Sequence, residues 1–280
     1  MAQCADPAGE PMSKELREIS MDGFALLLAG ANVVMQLARR PVAYGVIESP
    51  VAAGSLYRHP VKRTRTTLSY IALALWGSDA ERLVLGRDVG RQHRLVRERA
   101  NSPVAYSAFD PELQLWVAAC MYRGLEDAMR LFRSNVRDEM LDELYRHSAR
   151  FATTLQVDAS SWPGDRVAFA RYWDRAVEGI AMDEVTRSYL YDLVSLGFLS
   201  RPVRRLVGPL HRFVTTGFLP ERFREELAVS WGPLRQRVFD AFVRTVTVLE
   251  VVTPGALRRL PWALCLWDAR RRIRRGRSIV

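Results

Sequence analysis

Three short stretches hold the side chains most able to do chemistry. The chain has four histidines among 280 residues, and one of them, His93, stands in the arginine-rich stretch GSDAERLVLGRDVGRQHRLVRER. Imidazole ligates metals and carries protons near neutral pH. A second stretch, HPVKRTRTTLSYIALALWG, spaces Arg63, Thr66, Thr67 and Ile71 at i, i+3, i+4 and i+8, which share one face of a helix. A guanidinium and hydroxyls on that face could line a pocket and hold an anionic or oxygen-derived group. The plain alternative is a basic side chain that caps and snorkels ahead of an apolar segment. The third candidate is Glu48 in VAYGVIESPVAAG, inside a run from Pro41 to Arg58 that is otherwise free of charge. It is either a loop or cap residue, or a carboxylate in an apolar pocket, where desolvation raises the pKa and suits proton transfer.

The elements that must position these residues read as helices, with almost no strand signal. Ser78 to Glu81, reading SDAE, is a capping box that opens a helix. On that helix Leu85, Val89, His93 and Val96 fall at steps of four, four and three, so His93 sits on the apolar stripe and points inward. Such a histidine is either satisfied by a hydrogen bond in the core or free to act as a ligand. No HExxH, HxH or HxxE accompanies it, which gives zinc little support. A single histidine without ligating neighbours in sequence is what haem permits, because the porphyrin supplies four donors. Further on, FDPEL places Asp110 at an N-cap and Pro111 at the first helical position, where the missing N–H costs nothing. Leu113, Trp116, Val117 and Cys120 then repeat at helical spacing, and a later helix sets Phe169, Tyr172 and Trp173 on one side. The expected fold class is all-α, a single-domain multi-helix bundle enclosing a haem or apolar pocket.

Bulk properties exclude several classes. The hydrophobic content of 49% is too high for a disordered chain. Cys4, Cys120 and Cys265 lie far apart with no CxxC pair, against a disulfide framework or a thiolate zinc site and in keeping with a reducing cytoplasm. The N-terminal stretch MAQCADPAGEPMSKELREIS carries acids and a Pro/Gly pair, unlike a signal peptide. The apolar run GFALLLAGANVVMQLA contains Asn32 and Gln36 and stops at Arg39 and Arg40, so a buried helix is expected rather than a membrane span. No GxGxxG, GxxxxGK[ST] or GxSxG occurs, and no nucleic-acid-binding pattern accompanies the net charge of +10.

Taken in order, LLAGANVVMQLARRPVAYGVIES, RTTLSYIALALWG, HRLV, YSAFDPELQLWVAA, WPGDRVAFARYWD, GFLPERFRE and LPWALCLWDARRR resemble the MpaB-type, or ER-bound, oxygenase family, which includes the latex clearing proteins that cleave rubber. The resemblance runs from about Gly23 to Arg271 and implies an all-α fold holding one haem b. The family's proximal-ligand histidine in HxxV matches His93 of HRLV. The pocket glutamate of the latex clearing proteins matches Glu48. The arginine and threonine of their RxxKT motif match Arg63 and Thr67, but the lysine position holds Thr66. Many members read LAHP where this chain reads LARRP, so Arg39 replaces a histidine. Many read WVHA where it reads WVAA, so Ala118 replaces another.

The resemblance therefore implies a haem-dependent oxygenase or related oxidoreductase acting on an apolar or amphipathic organic substrate with dioxygen. His93 would be the metal ligand, Arg63 and Thr66 cofactor-binding, and Glu48, Arg63 and Thr67 catalytic. The missing lysine means that rubber-type cleavage does not carry over. A rival expectation is a non-catalytic helical haem- or lipid-binding protein. The domain expectation is a flexible segment 1–20, an all-α domain 21–268 and a basic tail 269–280. That tail, with Arg270, Arg271, Arg272, Arg274, Arg275 and Arg277, is expected to give weak, salt-sensitive attraction to an anionic membrane, on an otherwise cytoplasmic protein with no nucleic-acid partner.

Overall fold

The helix signals are realised where their chemistry places them. The computed structural model describes residues 11–51, 54–133 and 136–280. Thirteen α-helices run in order among the described residues: α1 (Lys14–Ser20), α2 (Ala29–Leu37), α3 (Arg40–Ile47), α4 (Pro60–Trp76), α5 (Asp79–His93), α6 (Pro111–Phe132), α7 (Asp138–Thr154), α8 (Arg166–Glu178), α9 (Glu184–Val194), α10 (Arg201–Phe218), α11 (Glu221–Glu226), α12 (Pro233–Val252) and α13 (Gly255–Arg274). Two short 3-10 turns interrupt them, and the only extended pairing among the described residues is one antiparallel bridge between Arg97 and Ser107. The all-α, single-domain bundle is what the helical spacing and caps predict.

Local rules fix the starts. Ser78 and Glu81 form the reciprocal capping box of α5. Asp110 accepts from the N–H groups of Glu112 and Leu113, and Pro111 opens α6. Asp165 and Asp183 cap α8 and α9 in the same way.

Helix α6 lies at the centre, against α7, α2 and α12. One end of its buried face carries an aromatic cluster in which Trp116 stacks on Trp173 at 5.3 Å and Tyr122 meets Phe169 edge-on at 4.7 Å. The polar residues of the first apolar run hold α2 to α6. Asn32 donates from Nδ2 to the Cys120 carbonyl at 2.6 Å, Gln36 donates to Asn32 Oδ1 at 2.7 Å, and Trp116 Nε1 donates to the Gln36 carbonyl at 3.1 Å. Among the described residues no single helix is long and apolar enough to cross a membrane; α1 with residues 23–37 reaches that length only as a pair bent by 46°, and Leu16, Val34 and Leu37 of that pair are buried in the core.

The described structure extends into both chain-end segments. Helix α1 lies within the stretch expected to be flexible, yet Leu16 is fully buried and Ser13 donates to Glu143 of α7; apolar burial holds this segment from Lys14 onward. Residues 1–10, including Cys4, lie outside the described residues. At the other end, the described structure runs on past residue 269. Helix α13 continues to Arg274, and the chain then folds back so that Ile279 is buried and its N–H donates to Asp88 of α5 at 2.7 Å. Three of the six tail arginines are engaged within the protein. Arg270 pairs with Glu81, Arg271 lies over Trp267, and Arg272 donates to the Ser278 carbonyl.

Gly124 of α6 lets the two central helices approach, because Asn32 occupies the space that a side chain there would fill. Gly124→Ala must displace a hydrogen-bonded buried amide, and we expect a loss of about 1–3 kcal/mol, measured as a lower urea midpoint with unchanged m-value.

Candidate functional site

His93 is the last residue of α5 and is partly buried. Its ring meets Phe109 edge-on at 6.2 Å. Among the described residues no hydrogen bond engages either ring nitrogen, in contrast with His211, whose Nδ1 lies 2.8 Å from the Val194 carbonyl. Desolvation, and then the nearby positive charge of Arg63, push the His93 pKa down to about 4. The imidazole is therefore neutral at physiological pH, the form that ligates metal.

Arg63, in the first turns of α4, is partly buried and its pKa is lowered, mainly by desolvation, with Tyr189 of α9 acting in the other direction. It makes no ion pair or side-chain hydrogen bond among the described residues. Thr66 and Thr67 follow on α4, both partly buried and equally without a side-chain hydrogen bond there. Opposite them Tyr57 lies 5.7 Å from Tyr189 and 6.2 Å from Phe198, and donates its hydroxyl to Asp192 at 2.7 Å. The structure thus brings Arg63 to His93 through its charge and sets an aromatic wall beside it.

Glu48 is tied to the segment that follows His93 and not to Arg63. It caps the C-terminus of α3, and its Oε2 accepts from Tyr106 Oη at 2.8 Å. Tyr106 lies in a β-type hairpin that follows α5 directly. A turn closed by the Val96 N–H on the His93 carbonyl leads into it, and its rungs are Ala108 N–H to the Val96 carbonyl and Glu98 N–H to the Tyr106 carbonyl. Gly45 of α3 faces the side chains of Tyr106 and Val96, 3.5 and 3.6 Å from where a Cβ would stand. The hairpin that begins at His93 therefore holds Glu48. Val96, expected on the helical stripe with His93, lies beyond the helix end and packs on α3 instead.

Two of the substitutions relative to the family pattern have structural counterparts. Arg39 places its guanidinium 4.7 Å from the centre of the Trp116 ring, a cation–π contact. Ala118 is fully buried among core side chains. Tyr106, Tyr57 and Tyr189 escape the sequence reading because their roles depend on partners far along the chain. His147 also escapes it. This residue of α7 is buried, its Nδ1 has no hydrogen-bond partner, and Glu143 lies 3.8 Å from Nε2.

The residues present are compatible with a haem. Among the described residues no group of three or more His, Cys, Asp or Glu side chains converges on one point, and a lone imidazole serves a metal whose other donors come from a macrocycle. His93 would be the protein ligand to such a group, and the guanidinium of Arg63 would be the counter-charge for an anionic substituent.

The fold is an all-α bundle with a partly aromatic region around one unbonded histidine. The chain belongs to the family described as ER-bound oxygenase mpaB/B'/Rubber oxygenase, catalytic domain, whose model matches residues 16–248. It is 43% identical over 255 residues to the uncharacterized protein Rv2237 of Mycobacterium tuberculosis and to the uncharacterized protein Mb2261 of Mycobacterium bovis, covering 91% of this chain and 100% of each relative. No solved structure matches the chain.

The electrostatics of the two inward histidines make a pH prediction. Burial lowers both His93 and His147 from an ordinary value of 6.5 to about 4. Between these values the unfolded chain binds protons that the folded chain does not, so stability falls as pH drops from about 6.5 to 4 and changes no further on their account below that. We expect a loss of about 1–3 kcal/mol per histidine over this window, and His147→Phe should flatten the slope of unfolding free energy against pH by its share.

Proposed function

We propose that the protein is a haem b-dependent oxygenase, or a related oxidoreductase, acting on an apolar or amphipathic organic substrate. The observation that carries this reading is His93, neutral, free of hydrogen bonds and facing the uncompensated charge of Arg63. Bound haem would supply the iron chemistry that activates dioxygen. His93 would hold the metal from the proximal side. Arg63 would pair with a negative group of the cofactor or with charge developing on oxygen, since its fork of N–H donors is otherwise unused. Thr66 stands where the related rubber-cleaving enzymes carry lysine. It offers a hydroxyl to the cofactor but no long cationic arm, and with Thr67 it would orient a polar group of the substrate. Glu48 would accept a proton, and the Tyr106 hydroxyl bonded to it fixes one carboxylate oxygen and leaves the other available. Tyr57, Tyr189 and Phe109 supply the apolar surface expected of a substrate wall.

The absorption spectrum of protein made with adequate haem tests the reading. The wild type should show a strong Soret band that shifts on reduction. His93→Ala should lose most of the haem or change its axial ligation with little change in helical content, and added imidazole should restore the spectrum. His59→Ala and His211→Ala should leave the spectrum intact. A haem-loaded His93→Ala protein with an unaltered spectrum would falsify the assignment. A colourless wild type would instead favour a helical protein that binds lipid and does no haem chemistry.

A second measurement separates binding from chemistry. Glu48→Gln and Arg63→Ala should keep haem while oxygen consumption with substrate falls, by roughly a hundredfold for the loss of a proton acceptor. Loss of haem or of fold in both variants would make these residues structural.

A further inference from the structure

The first half of α10 is turned inside out. A surface helix ordinarily buries its apolar stripe and exposes its charges. Here Val203, Leu206, Val207 and Leu210 repeat at i, i+3, i+4 and i+7, and all four face solvent, with exposures of 45, 81, 36 and 61%. The arginines Arg201, Arg204, Arg205 and Arg212 lie on the other side, where with Tyr191 and Ser195 of the α9 end they line an open groove. Gly208 sets this arrangement. Its Cα comes so close to the end of α9 that a Cβ would stand 2.7 Å from the Ser195 carbonyl oxygen, so the helix can turn its glycine and arginine side inward.

The charge of the region chooses what covers the stripe. Residues 201–280 hold 17 arginines against 6 acidic residues, whereas residues 1–200 hold 24 basic against 25 acidic. The whole positive excess of the chain is therefore in its last 80 residues. Within the groove, Arg204 pairs with Asp192 and Arg212 donates to the Tyr191 hydroxyl. Arg201 and Arg205 have no ion-pair partner among the described residues. A second copy docked by the same face would bring like charges together, and four side chains of one helix bury far less than the roughly 1,200 Å² of a stable interface. An anionic lipid surface meets both demands. Acyl chains take up the apolar stripe, and lipid phosphates answer the positive field of this region, to which the exposed Arg201 and Arg205 on the far side of the helix contribute.

We propose that the Arg201–Leu210 half of α10 is a docking helix for an anionic membrane surface. This proposal is independent of haem, and it moves membrane contact away from the C-terminal arginines, half of which are engaged within the protein.

Co-sedimentation of the full-length protein with vesicles tests it. The wild type should bind phosphatidylglycerol-containing vesicles, more strongly at low than at physiological salt, and bind pure phosphatidylcholine vesicles poorly. The double variant Leu206→Asp/Leu210→Asp should bind the anionic vesicles at least about tenfold more weakly, and Arg201→Glu/Arg205→Glu should do the same. Arg274→Gln/Arg275→Gln/Arg277→Gln should bind nearly as the wild type does. All these side chains are exposed, and circular dichroism should show the helical content retained. Undiminished binding by the Leu206/Leu210 variant would overturn the proposal, as would equal binding to both vesicle types. So would a wild type that ignores vesicles and elutes as a dimer that Leu206→Asp converts to monomer.

Discussion

Four charged side chains meet at the point where the start and end of the described chain cross. Glu250 of α12 is only 1% exposed and is paired with Arg258 of α13 and, at 2.9 Å, with Arg133 just beyond α6. Arg133 also pairs with Asp22 at 2.8 Å, and Arg258 reaches the same carboxylate at 3.5 Å. Two acids and two guanidiniums cancel, and the loss of any one of the four leaves an uncompensated charge. A lone buried carboxylate costs several kcal/mol, and its partners recover that only when all of them are in place. The cluster therefore demands that four separate parts of the chain arrive together. Trp262 of α13 adds a hydrogen bond from Nε1 to the Asp22 carbonyl at 3.0 Å.

From that junction the position of His93 follows through α13. Glu81 caps α5 and at the same time receives Arg270 of α13 at 2.7 Å. One carboxylate thus starts the helix that ends at His93 and ties it to the helix anchored on Glu250. Asp88, next to Val89 of the buried stripe, accepts the Ile279 N–H and the Ser278 hydroxyl. Helix α5 is held at two places along its length by the last segment of the chain. The backbone of its final residue is thereby held from the α13 side, while among the described residues no hydrogen bond engages either ring nitrogen of His93.

The sequence discloses what is encoded over three or four residues. The capping box, the Asp110–Pro111 start and the inward direction of His93 all rest on local stereochemistry, and the structure repeats them. What depends on distant partners is hidden. Nothing in the spacing around Tyr106 indicates that its hydroxyl meets Glu48, 58 positions earlier. The hairpin that joins them is nearly devoid of strand signals, being rich in arginine and held by only a few backbone bonds. Arg39 looks like the polar end of an apolar run and is in fact stacked on Trp116, because a guanidinium can satisfy an aromatic face that no local pattern announces. The C-terminal arginines look like a solvated tail by composition. Ile279, one apolar residue beyond them, supplies the burial that folds the segment back.

Arg63 and His93 define the site more by what they lack than by what they touch. The guanidinium is desolvated without a carboxylate beside it, and its charge helps to keep the imidazole unprotonated. Each group thereby enforces the state of the other. Protonating His93 would place two like charges together in a region of reduced dielectric, and the repulsion grows as water is excluded. An anionic group entering beside Arg63 reverses the balance for the arginine, since its desolvation is then offset by a pairing partner. Such an anion would also relieve part of the repulsion on a protonated ring and raise the His93 pKa back toward its ordinary value of 6.5, so the occupancy of the Arg63 side and the protonation of His93 are linked.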